Sequence, residues 1–223
     1  MKKVVLAGNA ITADILNCYL AMDKRYKVVG LTVDDDFIQQ GGIKGLETIA
    51  LSRLTDIYGP RDCIVIMAMG YNDLNRSRES MFYRLRDMGY KIETYVHPDA
   101  RVYTEFPLGE GCVVLPFAVI EPHVCLGENT MVWCNVTLAH HSIVAGHCWI
   151  ASGAVISGQA KVERNTFIGV NATVVNEVVV GEYNVIGGGA LITKNTKASS
   201  VHLARSAEQI RFSSQDYVKH FGV

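Results

Sequence analysis

The sequence lacks the features that mark two common classes of protein. It has no excess of positive charge, because 21 lysine and arginine residues face 22 acidic residues and the net charge is −1. Binding to nucleic acid normally depends on a basic patch, so we expect no nucleic-acid partner. No apolar run approaches the roughly 20 residues of a membrane-spanning helix, so we expect no membrane partner either.

The cysteines also lack a recognisable pairing signal. Six are scattered along the 223 residues, and none forms a CxxC pair. This distribution is typical of reduced, mostly buried thiols and favours a cytoplasmic location. The opening segment KKVVLAG carries too short an apolar run for a signal peptide, and Asp14 interrupts the stretch that follows.

Residues 1–95 alternate between strand-like and helix-like segments. The apolar runs predict strands over 2–8, 26–33 and 63–70. Helical spacing predicts helices over 11–22 and 75–89, the second ending at Gly89 as a C-cap. Alternation of this kind indicates an α/β domain with a small parallel, Rossmann-like sheet.

The second half of the chain follows a six-residue period. Every sixth residue from 96 to 192 is aliphatic, without a slip: Val96, Val102, Leu108, Val114, Ile120, Leu126, Val132, Leu138, Val144, Ile150, Ile156, Val162, Ile168, Val174, Val180, Ile186 and Ile192. Four positions after most of them comes a small side chain. This period predicts an all-β parallel β-helix of hexapeptide repeats over 96–193, in which each aliphatic side chain points inward.

We expect the aliphatic side chains to stack on their equivalents eighteen residues away, about 4.8 Å along the axis. Residues 194–223 break the period, so they are expected to form a C-terminal cap over the open end, partly as a short helix.

Three segments carry a resemblance to a known family. The stretches VVGLTVDDDF (28–37), GYNDLNRSR (70–78) and LAHHSIVAGHCWIASGAVISG (138–158) resemble the bacterial nucleotide-sugar N-acetyltransferases of the left-handed β-helix hexapeptide class, and sialic acid O-acetyltransferases are close relatives. The resemblance covers nearly the whole chain. It implies a left-handed coil, a homotrimer with active sites between subunits, and acetyl-CoA as co-substrate. The implied acceptor is a nucleotide-linked 4-amino-4,6-dideoxy sugar used for surface polysaccharide or glycan synthesis.

The resemblance also implies a catalytic histidine two residues after an inward aliphatic. His140 follows Leu138 by two and takes that position. Imidazole titrates near neutrality, so it can accept the proton that an attacking amine loses. His141 stands where the family usually has an acidic residue, and its role stays open. The partner that orients His140 is then a backbone carbonyl or a carboxylate elsewhere, unless the amine needs little help from a base.

The resemblance assigns binding residues as well. A turn after the first strand would present N–H groups to a diphosphate. The acidic residues after the second strand would bond a base or ribose, Arg78 would reach a phosphate, and Tyr71 would stack on the base. The substrate-binding set is Gly8, Asn9, Ala10, Asp34, Asp35, Gly70, Tyr71, Asn75, Arg78 and Trp133.

The coenzyme is expected along the outside of the coil, in the groove between subunits. Glycine there would let the pantetheine arm approach the backbone closely. The cofactor-binding set is Trp149, Gly158, Gly169, Val170, Gly187 and Gly188. Trp133 and Phe167 are expected to point outward, so Trp133 would pack on the sugar or contact a neighbouring subunit, and both would favour a trimer.

Three alternatives remain beside this interpretation. One is O-acetylation of a sugar hydroxyl, and another is a non-catalytic nucleotide-sugar-binding scaffold. The third is a zinc site, because His123, His141 and His147 share one place in their hexads and three imidazoles can form a catalytic zinc site. Hexapeptide carbonic anhydrases resemble this arrangement, but they carry no such N-terminal domain and their histidine spacings differ. We therefore expect no metal.

Overall fold

The structure is a computed structural model that describes residues 1–38 and 40–222. The chain opens with a sheet of four parallel strands in the order β3-β2-β1-β4. These are β1 (Lys2–Ala7), β2 (Tyr26–Val33), β3 (Thr48–Ala50) and β4 (Ile64–Met67). The small parallel α/β sheet expected from the sequence is confirmed. The strand β3 was missed, because its three residues are too few to show a pattern.

Three helices accompany this sheet. They are α1 (Ile11–Met22), α2 (Leu54–Ile57) and α3 (Arg76–Asp87), with single 3₁₀ turns at Asp35–Phe37 and Leu51–Arg53. The predicted stop at Gly89 is confirmed, since this glycine adopts φ +87° just past α3.

The coil that follows is built from two-residue strands in three parallel sheets, named here by face. Face 1 contains β5 (Tyr95–Val96), β7 (Val113–Val114), β10 (Met131–Val132), β13 (Trp149–Ile150), β16 (Phe167–Ile168), β19 (Val185–Ile186) and β21 (Val201–His202). Face 2 contains β6 (Arg101–Val102), β8 (Val119–Ile120), β11 (Thr137–Leu138), β14 (Val155–Ile156), β17 (Thr173–Val174) and β20 (Leu191–Ile192). Face 3 contains β9 (Cys125–Leu126), β12 (Ile143–Val144), β15 (Lys161–Val162) and β18 (Val179–Val180).

The register of these strands confirms the six-residue period. Leu138, for example, pairs with Ile120 on one side and with Ile156 on the other, each eighteen residues away. From Val114 onward the aliphatic residues form one buried core with the small residues that follow them, Val96 and Leu108 pack against it partly buried, and Val102 is exposed. Full burial of such a side chain contributes about 1.5–3 kcal/mol, so the stacked column is the main source of the coil's stability.

The corners between faces follow a backbone rule that the aliphatic period alone does not reveal. The third residue after most inward aliphatics has a left-handed backbone, with φ between 52° and 72°: Gly111, Phe117, His123, Asn129, Asn135, His141, His147, Gly153, Gln159, Asn165, Asn171, Glu177, Tyr183 and Gly189. Glycine, asparagine and histidine tolerate this conformation better than most residues. The shared position of the three histidines is therefore explained by the turn.

The N-terminal domain covers face 1 of the coil. One apolar cluster joins Leu6 and Leu16 of the α/β domain to Met131 and Trp149 of the coil, and Trp133 and Phe167 pack against it. Trp133 and Phe167 do point out of the coil, as expected, but the chain's own N-terminal domain covers them, so they give no support to a trimer contact.

The C-terminal segment is mostly exposed. The strand β21 pairs with β19 and prolongs face 1. It is followed by the helix α4 (Ser214–Phe221), whose first turn is capped by the Ser213 hydroxyl accepting from the Asp216 amide. None of residues 203–222 is buried. Of the predicted cap over 194–223, only the part before Leu203 therefore covers the open end of the coil.

Two further expectations can be compared with the structure. The six cysteines are free thiols, of which Cys63, Cys112 and Cys148 are buried and Cys18 is exposed. Among the helices of residues 1–38 and 40–222, none is long and apolar enough to cross a membrane.

His147 lies in the interface between α3 and the coil. Its Nδ1 atom is 2.9 Å from Nδ2 of Asn129, an obligate donor, so Nδ1 accepts. Its Nε2 atom is 3.0 Å from the Tyr83 hydroxyl, which donates to Glu128. Burial lowers the pKa of His147, with Glu79 and Glu128 opposing the shift. The folded protein therefore holds this imidazole neutral.

Stability should fall on acidification because of His147. Its pKa is lower in the folded than in the unfolded state, so the unfolded chain binds more protons as pH drops through about 6.5. We expect Tm to fall between pH 7.5 and 5.5, by about 2–4 °C for each 1 kcal/mol lost. His147→Asn, which keeps a side chain suited to the left-handed corner, should flatten this dependence in a thermal melt series. The matched change His220→Asn on the exposed helix α4 should leave it unaltered.

Candidate active site

A cavity of about 540 Å³ opens at the carboxyl ends of β1, β2 and β4. Its walls include Gly8, Asn9, Ala10, Thr32, Val33, Asp34, Phe37, Ala68, Met69, Gly70, Asn72, Asp73, Arg76, Ser77, Ser80 and Met81. The strand order places β2 and β4 on opposite sides of β1, so the loops after β1 and β4 diverge at this point. Ligands of open parallel sheets bind at such a divergence.

Two helices begin at the cavity. The N-cap of α1 is Ala10 and that of α3 is Asn75, and neither side chain caps the first amides. Uncapped N–H groups at a helix start attract anions. The N–H of Gly8 was expected to bind a diphosphate, but it already donates a hydrogen bond to the Thr32 carbonyl. A Cβ at Gly8 would lie 2.6 Å from the Ala68 oxygen, so glycine permits β1 and β4 to pack.

The loop before α3 is strained. Asp73, Leu74 and Asn75 have φ values of 49°, 49° and 65°, three consecutive left-handed residues without a glycine. Such backbone costs free energy and persists where the surroundings impose it. Here the Leu74 carbonyl accepts from the Asn165 side chain, and Asn75 is fully buried. Contact with the coil therefore holds the cavity loop in place.

Arg78 does not reach the cavity, and the expectation that it binds a phosphate is wrong. Its side chain is fully buried, and NH2 donates to the carbonyls of Asn129, His147 and Cys148. NH1 donates to Asn75 Oδ1 at 2.9 Å, so Asn75 is also occupied. Burial lowers the pKa of Arg78 to about 10, which leaves it charged at neutral pH. This arginine anchors α3 to the coil, and Arg76 replaces it in the cavity wall.

The remaining predicted substrate residues divide between the cavity and other places. Asp34 lines the cavity and pairs with Arg84 at 2.6 Å. Asp35 is exposed and does not line the cavity, and its carboxylate accepts a hydrogen bond from the Ser52 hydroxyl. Tyr71 lies outside it as well, with its ring centroid 4.6 Å from Phe167 and 5.1 Å from Trp149.

His140 lies at the corner between faces 2 and 3. Its ring rests over Gly158, the equivalent residue of the next turn, where a Cβ would lie 2.6 Å from Cε1. Its amide donates to Glu121 Oε2 at 2.7 Å, and its Nδ1 is 3.3 Å from Nδ1 of His141. Within the part of the chain that the structure describes, no hydrogen bond is formed by its Nε2. His140 thus presents one unoccupied ring nitrogen at an exposed edge.

Sequence reasoning missed Glu121, although the period contains the signal. Glu121 precedes His140 by nineteen residues, so it lies in the neighbouring turn at the same corner. A search for acidic residues about eighteen positions away would have found it.

The residues predicted for the coenzyme are not all brought together. Gly158 lies beneath His140, whereas Gly169, Val170, Gly187 and Gly188 follow β16 and β19 at the corner between faces 1 and 2. A Cβ at Gly169 would lie 2.5 Å from the Gly188 amide, so the tight stacking of turns explains this glycine. Trp149 is 5% exposed and packs with Trp133 under the N-terminal domain. The prediction that these tryptophans contact substrate and coenzyme near His140 is therefore wrong.

The cavity and His140 lie on opposite sides of one chain. The cavity belongs to the domain that covers face 1, and its loop contacts Asn165 beside β16. His140 stands between β11 and β12, on the edge opposite face 1. A ligand held in the cavity is thus separated by the coil from the chain's own His140.

The zinc alternative concerns the three histidines that share a corner position. Over residues 1–38 and 40–222, no group of three or more His, Cys, Asp or Glu side chains is placed to hold a metal ion. His147 in particular faces α3, away from His123 and His141.

Comparison with known proteins extends these observations. No protein-family model matches the chain, and no curated protein matches it significantly in sequence. Among solved structures, the acetyltransferase domain of PglB from Neisseria gonorrhoeae is 23% identical, with a TM-score of 0.80 over 94% of this chain and 100% of that one. It has also been solved with acetyl coenzyme A.

Two more solved structures are similar over most of the chain. A histidine-to-asparagine mutant of perosamine N-acetyltransferase from Caulobacter crescentus, in complex with CoA and GDP-perosamine, is 19% identical, with a TM-score of 0.81 over 92% of this chain and 94% of that one. WeeI from Acinetobacter baumannii is 17% identical, with a TM-score of 0.74 over 90% and 95%. These proteins share with this chain the fold of an α/β domain followed by a hexapeptide coil.

Proposed function

We propose that this protein is an acetyl-CoA-dependent N-acetyltransferase that acts on the amino group of a nucleotide-linked 4-amino-4,6-dideoxy sugar. The observation that carries the proposal is His140, an exposed imidazole with an unoccupied Nε2, seated over a glycine on a coil whose N-terminal domain has a separate anion-compatible cavity. The similar structures support it, because two of them are N-acetyltransferases or acetyltransferase domains solved with CoA, acetyl-CoA or GDP-perosamine.

The proposed division of labour follows the two parts of the chain. Residues 1–95 hold the nucleotide, with the α1 and α3 helix starts facing the diphosphate and Arg76 supplying positive charge. Residues 96–193 carry the transfer, on a coil that the proposal takes to be left-handed. Residues 194–223 end the coil. The lack of a membrane-spanning helix in the described part is compatible with the cytoplasmic location we propose.

The proposed reaction needs one base. The sugar amine attacks the acetyl thioester, and the new C–N bond forms as Nε2 of His140 takes a proton from nitrogen. The tetrahedral intermediate then collapses, the C–S bond breaks, and the proton passes to the departing CoA thiolate. The products are the N-acetyl sugar nucleotide and CoA, and no metal takes part.

We further propose a homotrimer in which the site is shared. Because the coil separates the cavity from His140 within a chain, the cavity of one subunit would serve His140 of its neighbour. Cyclic symmetry makes three such sites from one kind of contact. The coenzyme would then lie between subunits. It would contact the corner that carries His140 in one coil and the corner that carries Val170 and Gly188 in the next.

The assay that tests this function uses a panel of UDP-, dTDP- and GDP-linked 4-amino-4,6-dideoxy sugars with acetyl-CoA. We expect thiol release with at least one of them and a product whose acetyl group resists hydroxylamine, as an amide does and an ester does not. The matched substrate with a 4-hydroxyl should be inert. Acetylation of that hydroxyl instead would support O-acetylation, and a lack of thioester cleavage with every acceptor would contradict the proposal.

Light scattering tests the assembly separately. We expect a particle of three times the chain mass of 24.5 kDa. A clean monomer at micromolar concentration would contradict the shared site.

A further inference from the structure

His141 belongs to a column of residues spaced by eighteen, of which His123, His141, Gln159 and Glu177 have the left-handed backbone and Glu105 does not. Glu105, His123, His141, Gln159 and Glu177 follow one another at intervals of eighteen residues. Equivalent residues of adjacent turns pair at this interval throughout the coil. Side chains in the column are therefore stacked neighbours.

The first three members of the column are in contact. Oε1 of Glu105 lies 2.6 Å from Nδ1 of His123, and Oε2 accepts from the His123 amide at 3.3 Å. The rings of His123 and His141 have centroids 4.5 Å apart with planes tilted by 41°. A continuous line of contacts thus runs from a carboxylate through two imidazoles to the residue next to His140.

The contact between His141 and His140 restricts where protons can be. Their Nδ1 atoms are 3.3 Å apart, and a hydrogen bond between two ring nitrogens requires one donor and one acceptor. If His140 donates from Nδ1, its neutral ring has no proton on Nε2. Only this tautomer leaves Nε2 able to accept a proton from the substrate amine.

We propose that Glu105, His123 and His141 are positioning residues that together replace the acidic partner of His140. In this arrangement His141 accepts the Nδ1 proton of His140 and orients its ring, while Glu121 fixes the His140 backbone. His123, bonded to Glu105, braces the His141 ring from the preceding turn. The inference rests on the proposed function, because it assigns these residues a task in the same site.

Three titratable side chains face the pair of His140 and His141. Glu105 and Glu121 are the carboxylates, and His123 is the other titratable ring at this corner. A proton of His123 points to Glu105, whose pKa is lowered by its own backbone amide and then by the bond to His123. The proposal places the shared proton on Nδ1 of His140, so that Nδ1 of His141 accepts.

Site-directed variants separate positioning from folding. His123→Asn and His141→Asn keep a residue suited to the left-handed corner, since Asn135 and Asn171 occupy equivalent places. Glu105→Gln removes a charge at an exposed site. Its matched control is Glu177→Gln, which lies as far beyond His141 in the column as Glu105 lies before it.

We expect Glu105→Gln and His123→Asn to lower kcat by about five- to tenfold, the scale of one weakened hydrogen bond. His141→Asn should lower it more, and KM for both substrates should stay within about twofold because no binding contact is removed. The acidic limb of the kcat/KM profile should move in all three variants. Glu177→Gln should match the wild type in every measurement.

Nitrogen NMR of the resting enzyme supplies a readout that does not depend on activity. With ¹⁵N-labelled histidine, His140 should show a protonated Nδ1 and a bare Nε2, and His141→Asn should give a mixture of tautomers. A protonated Nε2 in the wild type, or equal activity of Glu105→Gln and Glu177→Gln, would overturn the inference. A wild-type protein without transferase activity would overturn the proposed function instead, and the tautomer spectra would still decide the positioning role.

Discussion

His140→Ala is expected to reduce kcat by about 10²–10⁴-fold, the usual contribution of a general base. KM for the sugar nucleotide and for acetyl-CoA should change little, because a general base acts in the transition state and the proposal gives His140 no binding contact with either substrate. The residual rate should rise with pH as free amine becomes available without assistance. His220→Ala, on the exposed helix α4, is the control and should behave as the wild type.

Mixed trimers extend this expectation to the shared site. Ser77→Trp would place a large ring in the cavity from the exposed side of α3, so it should abolish sugar binding while sparing His140. Neither variant should be active alone. Co-expressed in equal amounts with different tags, they should recover about a quarter of the wild-type rate, because that fraction of sites combines an intact cavity with an intact neighbouring histidine.

Each failure of this experiment has a distinct meaning. No recovery in purified mixed trimers would contradict a site shared between subunits. Full activity of His140→Ala together with loss of activity in His141→Ala would show that the roles of the two histidines are reversed.

Gly158→Ala should reduce kcat by about 100-fold without lowering stability. The added methyl would lie 2.6 Å from Cε1 and 2.7 Å from Nε2 of His140, closer than real contacts allow. The imidazole is an exposed side chain and would move by about 1 Å, a misplacement that can cost two orders of magnitude in rate. Gly158 does not adopt a positive φ, so alanine should leave Tm unchanged or raise it slightly.

A double-mutant cycle distinguishes a Gly158 that supports the ring of His140 from a Gly158 that contacts the coenzyme. In the His140→Ala background, Gly158→Ala should have almost no further effect on kcat, because the ring that it displaces is already gone. The Kd for CoA, measured by calorimetry, should be the same in both proteins. Weaker CoA binding in the double variant would show that Gly158 contacts the coenzyme, as the sequence resemblance implies.

The coil could be predicted in detail because its physical rule is local and repetitive. An inward aliphatic every sixth residue determines which side chains are buried, and the register then places residues eighteen apart in contact. The stacking of His123 on His141 follows from that arithmetic. The α/β alternation was equally clear, although β3 was too short to leave a signal.

The contacts between the two parts could not be predicted in this way. Arg78 looks like any solvent-facing cation on a polar helix, and only the docking of α3 on the coil reveals the carbonyls that it binds. Trp149 occupies an outward position of its strand, and nothing local shows that another domain covers that face. The left-handed run before α3 likewise depends on tertiary contact with Asn165.

The left-handed corners have a consequence for how such a protein can acquire new chemistry. Their favoured residues include asparagine and histidine, and a single A-to-C change at the first base of an asparagine codon produces a histidine codon. Corners such as Asn135 and Asn171 are therefore one point mutation from an imidazole on the surface of the coil, at little conformational cost. In a coil of this kind, histidines can arise by single mutations at corner positions that are aligned from turn to turn. The stacked rings of His123 and His141 are an example of two histidines aligned in this way.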